Sequence, residues 1–227
     1  MYGWSVNIAA KPRLTNDALE HNLLPTQQRD GVAARTRIVT EHGWRPVETI
    51  VAGDRVQTFD NGLKSVLAVK RAVLWVDHLY ATSPVWPVTI PAHAFGNGRD
   101  VILMPEQRLM LESERFSDAL GDPYAVAPAE ALLGVCGTYR DMPLKPIDLT
   151  TLFFADEEVV CADGGLLIHC PRKIDALSER AQPVETLYPQ ISLNEAREVL
   201  QNCETARVPV AQDFEAESGE TMSHLVA

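Results

Sequence analysis

Residues 43–62 read GWRPVETIVAGDRVQTFDNG. Within this stretch Gly43 suits a tight turn between strands, and Gly53-Asp54 suits a backbone reversal that a β-branched residue would resist. At its end, Asn61-Gly62 separates VQTFD from LKSVLAV. Asn-Gly is the favoured dipeptide of a two-residue type I′ turn, so a β-hairpin is expected there. Upstream, TRIVT (36–40) has the short β-branched character of a strand. Downstream, LKSVLAVKRAVLWV (63–76) is apolar on both faces and reads as one long strand, bent or bulged.

Working outward, WPVTIP (86–91) and DVILMP (100–105) read as further short strands separated by FGNGRD (95–100). Two small helices are expected to interrupt the β pattern. ESERFSDALG (112–121) would end on Gly121, and APAEALLG (127–134) would start on Pro128 and stop at Gly134. LTTLFF (149–154) and EEVVCA (157–162) are expected to form a hairpin turning at residues 155–157, and GGLLIHC (164–170) a last apolar strand. The fold class expected is all-β with small helical insertions.

The ends differ in character. Residues 1–30 carry Pro12 and Pro25 without a sustained period and read as an N-terminal arm with one short helix near residues 16–24. Ser192 and Glu195 have the spacing of a capping box, opening a helix whose Leu193, Ala196, Val199, Leu200 and Cys203 share one face. That face is expected to pack on the β body or on a partner. After Arg207 the chain carries Asp213, Glu215, Glu217 and Glu220 and no base, the composition of a solvated tail. The organisation expected is an arm over 1–30, a β domain over 31–172, a linker and amphipathic helix over 173–207 and an acidic tail over 208–227.

Composition limits the function classes. The chain has 227 residues, 46% apolar and 22% charged, with a formal net charge of −11. Phosphate contacts need clustered Lys or Arg, and no such run occurs, so neither a nucleic-acid partner nor an anionic membrane is expected. No apolar run approaches the roughly 18 residues of a membrane span, and the N-terminus lacks a charged start followed by an apolar core. The expected location is the cytoplasm, or an exported state reached without an N-terminal signal peptide. Cys136, Cys161, Cys170 and Cys203 are too far apart for a structural zinc site and too few for a disulfide scaffold, so free thiols are expected. His42, His78 and His93 have no partner at metal spacing, and no cofactor or metal is expected. Trp44, Trp75 and Trp86 read as core or cross-strand packing rather than the lining of a groove.

TRIVTEHGWRPVETIVAGDRVQTFDNG (36–62), followed by PVTIPAHAFGNGRD (87–100), resembles the Hint (hedgehog/intein) domain family, over about residues 31–172. The resemblance implies a Hint-type β fold. It also implies a chemistry, an acyl shift in which a Cys, Ser or Thr at the first position attacks the preceding carbonyl, and that step needs a side-chain nucleophile. Aligning GVAARTRIVT with the family's Cys-x-x-x-x-Thr start puts Gly31 on the Cys and Thr36 on the Thr. A second element, Thr or Ser-x-x-His, falls on LMPEQRLM, with Met104 and Gln107 in the two places. Glutamine donates and accepts hydrogen bonds but exchanges no proton near neutrality, and general acid–base help is worth roughly 10²- to 10⁴-fold. A third element, Phe-Asp-x-His-Glu-Val-Val, falls on FADEEVV, with Ala155 and Glu157 at the Asp and His positions. The resemblance to an intein end places Cys170 after His169, where the family has the Asn that cyclises.

All three elements have lost their reactive group, so no catalytic residue is expected. The chain then reads as a binding or assembly scaffold whose protein partner is reached through the C-terminal helix or the N-terminal arm. The alternative is an active autoprocessing domain cleaving near Gly31, with Thr36 as the nearest nucleophile; a hydrolase of another type finds no Gly-x-Ser-x-Gly or HExxH to support it. His169 and Cys170 are adjacent on a strand and should diverge to opposite faces. The neighbours Glu157 and Glu158 are expected in a solvated turn.

Overall fold

The computed structural model describes residues 29–74, 86–116, 122–172 and 186–201 and the backbone of 206–207. The arm up to residue 28, the tail beyond residue 207, Gly121, His78, Trp75 and Cys203 lie outside them. Runs of alternating and β-branched residues form β1 (Val32–Ala33), β2 (Arg37–Thr40), β3 (Gly43–Pro46), β4 (Arg55–Thr58), β5 (Gly62–Ser65), β6 (Ala68–Leu74), β7 (Val88–Ile90) and β8 (Val101–Leu103). They continue as β9 (Arg108–Ser113), β10 (Tyr124–Pro128), β11 (Tyr139–Arg140), β12 (Ile147–Phe153), β13 (Glu158–Ala162), β14 (Leu166–Cys170) and β15 (Ala206–Arg207).

Two sheets result. One runs β11-β7-β8-β1-β12-β6; the other runs β10-β9-β14-β13-β2-β4-β5, with β3 on β2 and β15 on β9. Residues from both fill a common core. On β9, β13 and β14 the alternation sends Leu109, Leu111, Val160, Ala162, Ile168 and Cys170 into it. The intervening Met110, Val159, Cys161 and Leu167 form a second cluster on the outer face of that sheet. Both faces are therefore buried, which is why these strands read as continuous apolar runs.

The hairpin β4–β5 forms, with Thr58 opposite Gly62. Its turn is not the two-residue one expected. Residues 59–61 lie between the paired positions and only Gly62, at φ +63°, takes the left-handed conformation. Thr58 closes this longer loop, its hydroxyl donating to the Gly62 carbonyl at 2.8 Å and accepting the Asn61 N–H at 3.3 Å. The long strand expected over 63–76 is also corrected, because it changes sheets. Val66 exchanges backbone bonds with Gly53 and Asp54, whereas Leu67 donates to the Phe153 carbonyl in the other sheet, so the chain turns a corner between two residues.

LTTLFF and EEVVCA do not pair with each other. β12 lies between β1 and β6, while β13 pairs with β14, β2 and β4, so residues 154–157 cross from one sheet to the other. Of the first small helix the described part is the end of β9 and a 3₁₀ turn, Glu114–Phe116, residues 117–121 lying outside the described residues; the second is a single 3₁₀ turn, Ala129–Leu132, following Pro128 at the end of β10. The capping box is present: Ser192 Oγ accepts the Glu195 N–H at 3.3 Å and Glu195 Oε2 the Ser192 N–H at 3.4 Å. It opens α1 (Leu193–Gln201), which packs on β10 and the 3₁₀ turn that follows β10, with Ala196, Val199 and Leu200 buried. These three residues of its apolar side are thus used within the chain, while Cys203 lies outside the described residues. Among the described residues no helix is long and apolar enough to cross a membrane.

The FGNGRD turn is built around Asn97, which is fully buried. Its Nδ2 donates to the carbonyls of Pro91 and Arg99, both at 2.8 Å, and its Oδ1 accepts the Phe95 N–H at 3.0 Å. Gly164 packs directly on this turn, where a Cβ would overlap the Asn97 backbone. Next to it, buried Asp163 holds the Arg37 guanidinium at 2.7 Å and the Arg37 N–H at 2.8 Å. The segments that carry the family resemblance thus lock the fold to itself.

Candidate functional site

Gly31 stands immediately before β1, and the chain around it is held by backbone hydrogen bonds to the turn after β8. Its carbonyl accepts the Met104 N–H at 3.0 Å and the Arg29 carbonyl accepts the Glu106 N–H at 2.8 Å. Its N–H donates to Gln107 Oε1 at 3.0 Å in a buried contact. The backbone at Gly31 has φ +123°, a conformation L residues rarely adopt. Space is not the obstacle to a side chain, since a Cβ would lie 3.4 Å from Thr151 Oγ1, an ordinary contact.

Gln107 reaches this junction from the turn between β8 and β9, where its N–H bonds the Met104 carbonyl at 3.0 Å. The orientation of its amide is set by two acceptors, because Nε2 donates to the His169 carbonyl at 2.8 Å and to the Arg108 carbonyl at 3.2 Å. That leaves Oε1 as the atom facing Gly31. A void of about 10 Å³, lined in part by Val32, Gln107, Thr151, His169 and Cys170, lies beside it. It is at the lower limit of what a single water requires.

The His169 ring continues the chain of contacts toward the outer face. Its Nε2 lies 3.1 Å from Glu157 Oε2. Glu157 Oε1 accepts the N–H groups of Leu187 and, at 3.1 Å, Tyr188. Burial pushes the His169 imidazole below its ordinary range despite the opposing pull of Glu157. The solvated turn expected for Glu157 and Glu158 is corrected, since they are only 9% and 3% exposed. Each carboxylate has partners: Glu158 accepts from Asn61 Nδ2 at 3.0 Å and has Lys64 Nζ at 3.7 Å.

The structure therefore brings Gly31, Gln107 and Glu157 into one contact chain through His169. Met104 meets Gly31 and Gln107 through its backbone alone, its side chain being buried in a separate apolar cluster with Ala33, Leu74 and Leu149. The others stand apart. Thr36 is buried, its backbone bonding Ala33 and Val47, and Ala155 is exposed at the corner between sheets. Residue-by-residue reading missed the His169–Glu157 pair. Its signal lies in the register: Val159 faces His169 across β13–β14, so Glu157, two residues earlier, falls on the same face as the imidazole.

Cys170 sits on the opposite, inner face of β14. Burial pushes the Cys161 thiol up to about 11 and the Cys170 thiol higher still. Among the described residues no group of three or more His, Cys, Asp or Glu is placed to hold a metal. Trp44, expected in packing, is instead partly exposed, with the Arg37 guanidinium 5.5 Å from its ring centre. Outside the buried site an open cleft of about 750 Å³ is lined by Asp60, Asp122, Asp156, Glu157, Arg172 and Tyr188, among others.

Comparison with known proteins places these features in a family. The model of the Hint domain matches residues 31–167, more than half of the chain. Among solved structures, a bacterial intein-like domain from Clostridium thermocellum aligns at 18% identity and a TM-score of 0.41, covering 63% of this chain and 99% of that one. The gp41-1 intein aligns at 14% identity and a TM-score of 0.37, covering 63% of this chain and 98% of that one. No curated protein matches the chain significantly.

Proposed function

The chain belongs to the Hint domain family, and from that premise we propose that it keeps the family's fold without self-processing chemistry and works as a binding or assembly module. The observation that carries this reading is the state of the peptide unit at Gly31, a glycine-only φ with its N–H donated to Gln107 Oε1. Expulsion of an amine from an amide requires a nucleophile at the carbonyl and a proton on the leaving nitrogen. Gly31 supplies no nucleophile. Gln107 accepts from the N–H, an arrangement that favours the resonance-stabilised amide over its protonated form. The adjoining void of about 10 Å³ is at the lower limit of what one water requires.

Intact mass of the purified chain tests the reading. Incubation with and without dithiothreitol should leave a single 25.1 kDa species. A fragment beginning at or near Gly31 would overturn the proposal in favour of active autoprocessing. Ala196, Val199 and Leu200 of α1 are covered by the body of the chain, so a partner reached through this helix would use its other faces.

A further inference from the structure

Residues 186–191, Thr-Leu-Tyr-Pro-Gln-Ile, cross the outer face of the second sheet beyond the region matched to the family, held there by backbone pairing at a strand edge, a buried carboxylate and a pocket for a ring. The main chain is read by the edge of β10: the Val126 N–H donates to the Pro189 carbonyl at 2.9 Å and the Val126 carbonyl accepts the Ile191 N–H at 3.1 Å. Consecutive N–H groups of Leu187 and Tyr188 are read by one buried carboxylate oxygen of Glu157, whose other oxygen is fixed by His169. The Tyr188 ring is buried in the cluster of Met110, Val126, Val159, Cys161 and Leu167, and its hydroxyl donates to Asp60. Proline at 189 has no N–H to leave unpaired between the two bonded stretches.

We infer that this face is a groove for an extended segment carrying a Tyr-Pro pair, which the chain's own residues 186–191 fill in cis and a partner's segment fills in trans. The inference deepens the binding-module reading and rests on it for the use of the groove. A ligand tethered by its own chain acts at an effective concentration of about 1 mM, so a free peptide of micromolar affinity is masked by roughly two to three orders of magnitude until the resident segment is weakened.

The test is fluorescence anisotropy with a labelled Thr-Leu-Tyr-Pro-Gln-Ile peptide on the full chain. Tyr188→Ala should bind it at least tenfold more tightly than wild type, and a peptide with alanine in place of tyrosine should not bind. Adding Glu157→Gln to Tyr188→Ala should weaken binding about tenfold, the loss expected for a charge-assisted acceptor reduced to a neutral one. Absence of binding to a Tyr188→Ala chain with native circular dichroism, or equal binding of the alanine peptide, would overturn the groove. Hydrogen exchange on wild type gives a reading independent of any variant. The Leu187 and Tyr188 amides should exchange faster than those of β13 and β14, and exchange only at the global unfolding rate would refute displacement. Intact mass on the same samples separates the two proposals. A chain that sheds its first 30 residues yet binds the peptide refutes the non-cleaving reading alone; an intact chain that fails to bind refutes the groove alone.

Discussion

Replacing Gly31 by alanine separates two explanations of the missing side chain, a lost nucleophile and a backbone that has become glycine-specific. At φ +123° a Cβ strains the backbone by about 1–3 kcal/mol. The nearest atoms, Thr151 Oγ1 at 3.4 Å, Leu149 Cβ at 3.5 Å and the Thr150 carbonyl at 3.6 Å, add no clash. Alanine also narrows the unfolded ensemble, offsetting about 0.4–1 kcal/mol of the strain. From the middle of each range the net expectation is a loss of about 1.3 kcal/mol, which for a chain of this size lowers Tm by roughly 3–5 °C. Gly31→Cys should lose the same amount, because the Cβ causes the strain and the sulfur does not. Thermal melts by circular dichroism measure the loss, and intact mass after dithiothreitol treatment should show Gly31→Cys uncut. A Gly31→Ala chain as stable as wild type, together with thiol-dependent release of the first 30 residues from Gly31→Cys, would refute the reasoning, since it would mean that the junction relaxes readily into a reactive shape.

Gln107→Ala strips partners from the buried Gly31 N–H and His169 carbonyl. At about 1–3 kcal/mol per orphaned group it should cost roughly 2–6 kcal/mol in urea unfolding. His169 makes stability pH-dependent. Burial holds its folded pKa below the ordinary imidazole value of about 6.5, so as pH falls through about 6.5 the unfolded chain takes up a proton that the folded one refuses. Stability should be flat above that point and decline below it by up to about 1.4 kcal/mol per pH unit, a slope that His169→Gln reduces. Among the described thiols, exposed Cys136 should react with iodoacetamide in the native chain, while Cys161 and Cys170 should react only on unfolding; peptide mapping distinguishes them.

The parts of the fold that were legible in the sequence are those fixed by local chemistry. The capping box at Ser192, the turn at Gly43 with φ +85°, and the strands flanking FGNGRD follow from residues within a few positions of one another. Sheet membership does not. Nothing local tells Leu67 to pair with Phe153 while Val66 stays with Asp54, and nothing local keeps β12 from pairing with β13 across their short connection. Those choices are settled by which edges other strands already occupy. The same limit hid the His169–Glu157 pair. An isolated hairpin turn would leave Glu157 in water, but the returning segment at Leu187 and Tyr188 covers it and replaces water with two backbone N–H groups. The resemblance supplied the positions of Gly31 and Gln107 in the sequence, and the contact between them, 76 residues apart, is visible only in three dimensions.

That contact also determines how hard the proposed loss of chemistry is to reverse. A glutamine could in principle turn its amide and present Nε2 to the junction, yet here Nε2 is committed to two carbonyls while Oε1 takes the Gly31 N–H. Turning it would set donor against donor at Gly31 and oxygen against oxygen at His169 and Arg108, losing three hydrogen bonds in a buried site. The network therefore holds the leaving nitrogen as a hydrogen-bond donor, the opposite of what amine expulsion requires. A nucleophile placed at residue 31 would meet a carbonyl whose nitrogen receives no proton, so the absence of the nucleophile and the presence of the glutamine block the reaction separately. On this account, inertness is a property of the backbone and its bonds as much as of the absent thiol.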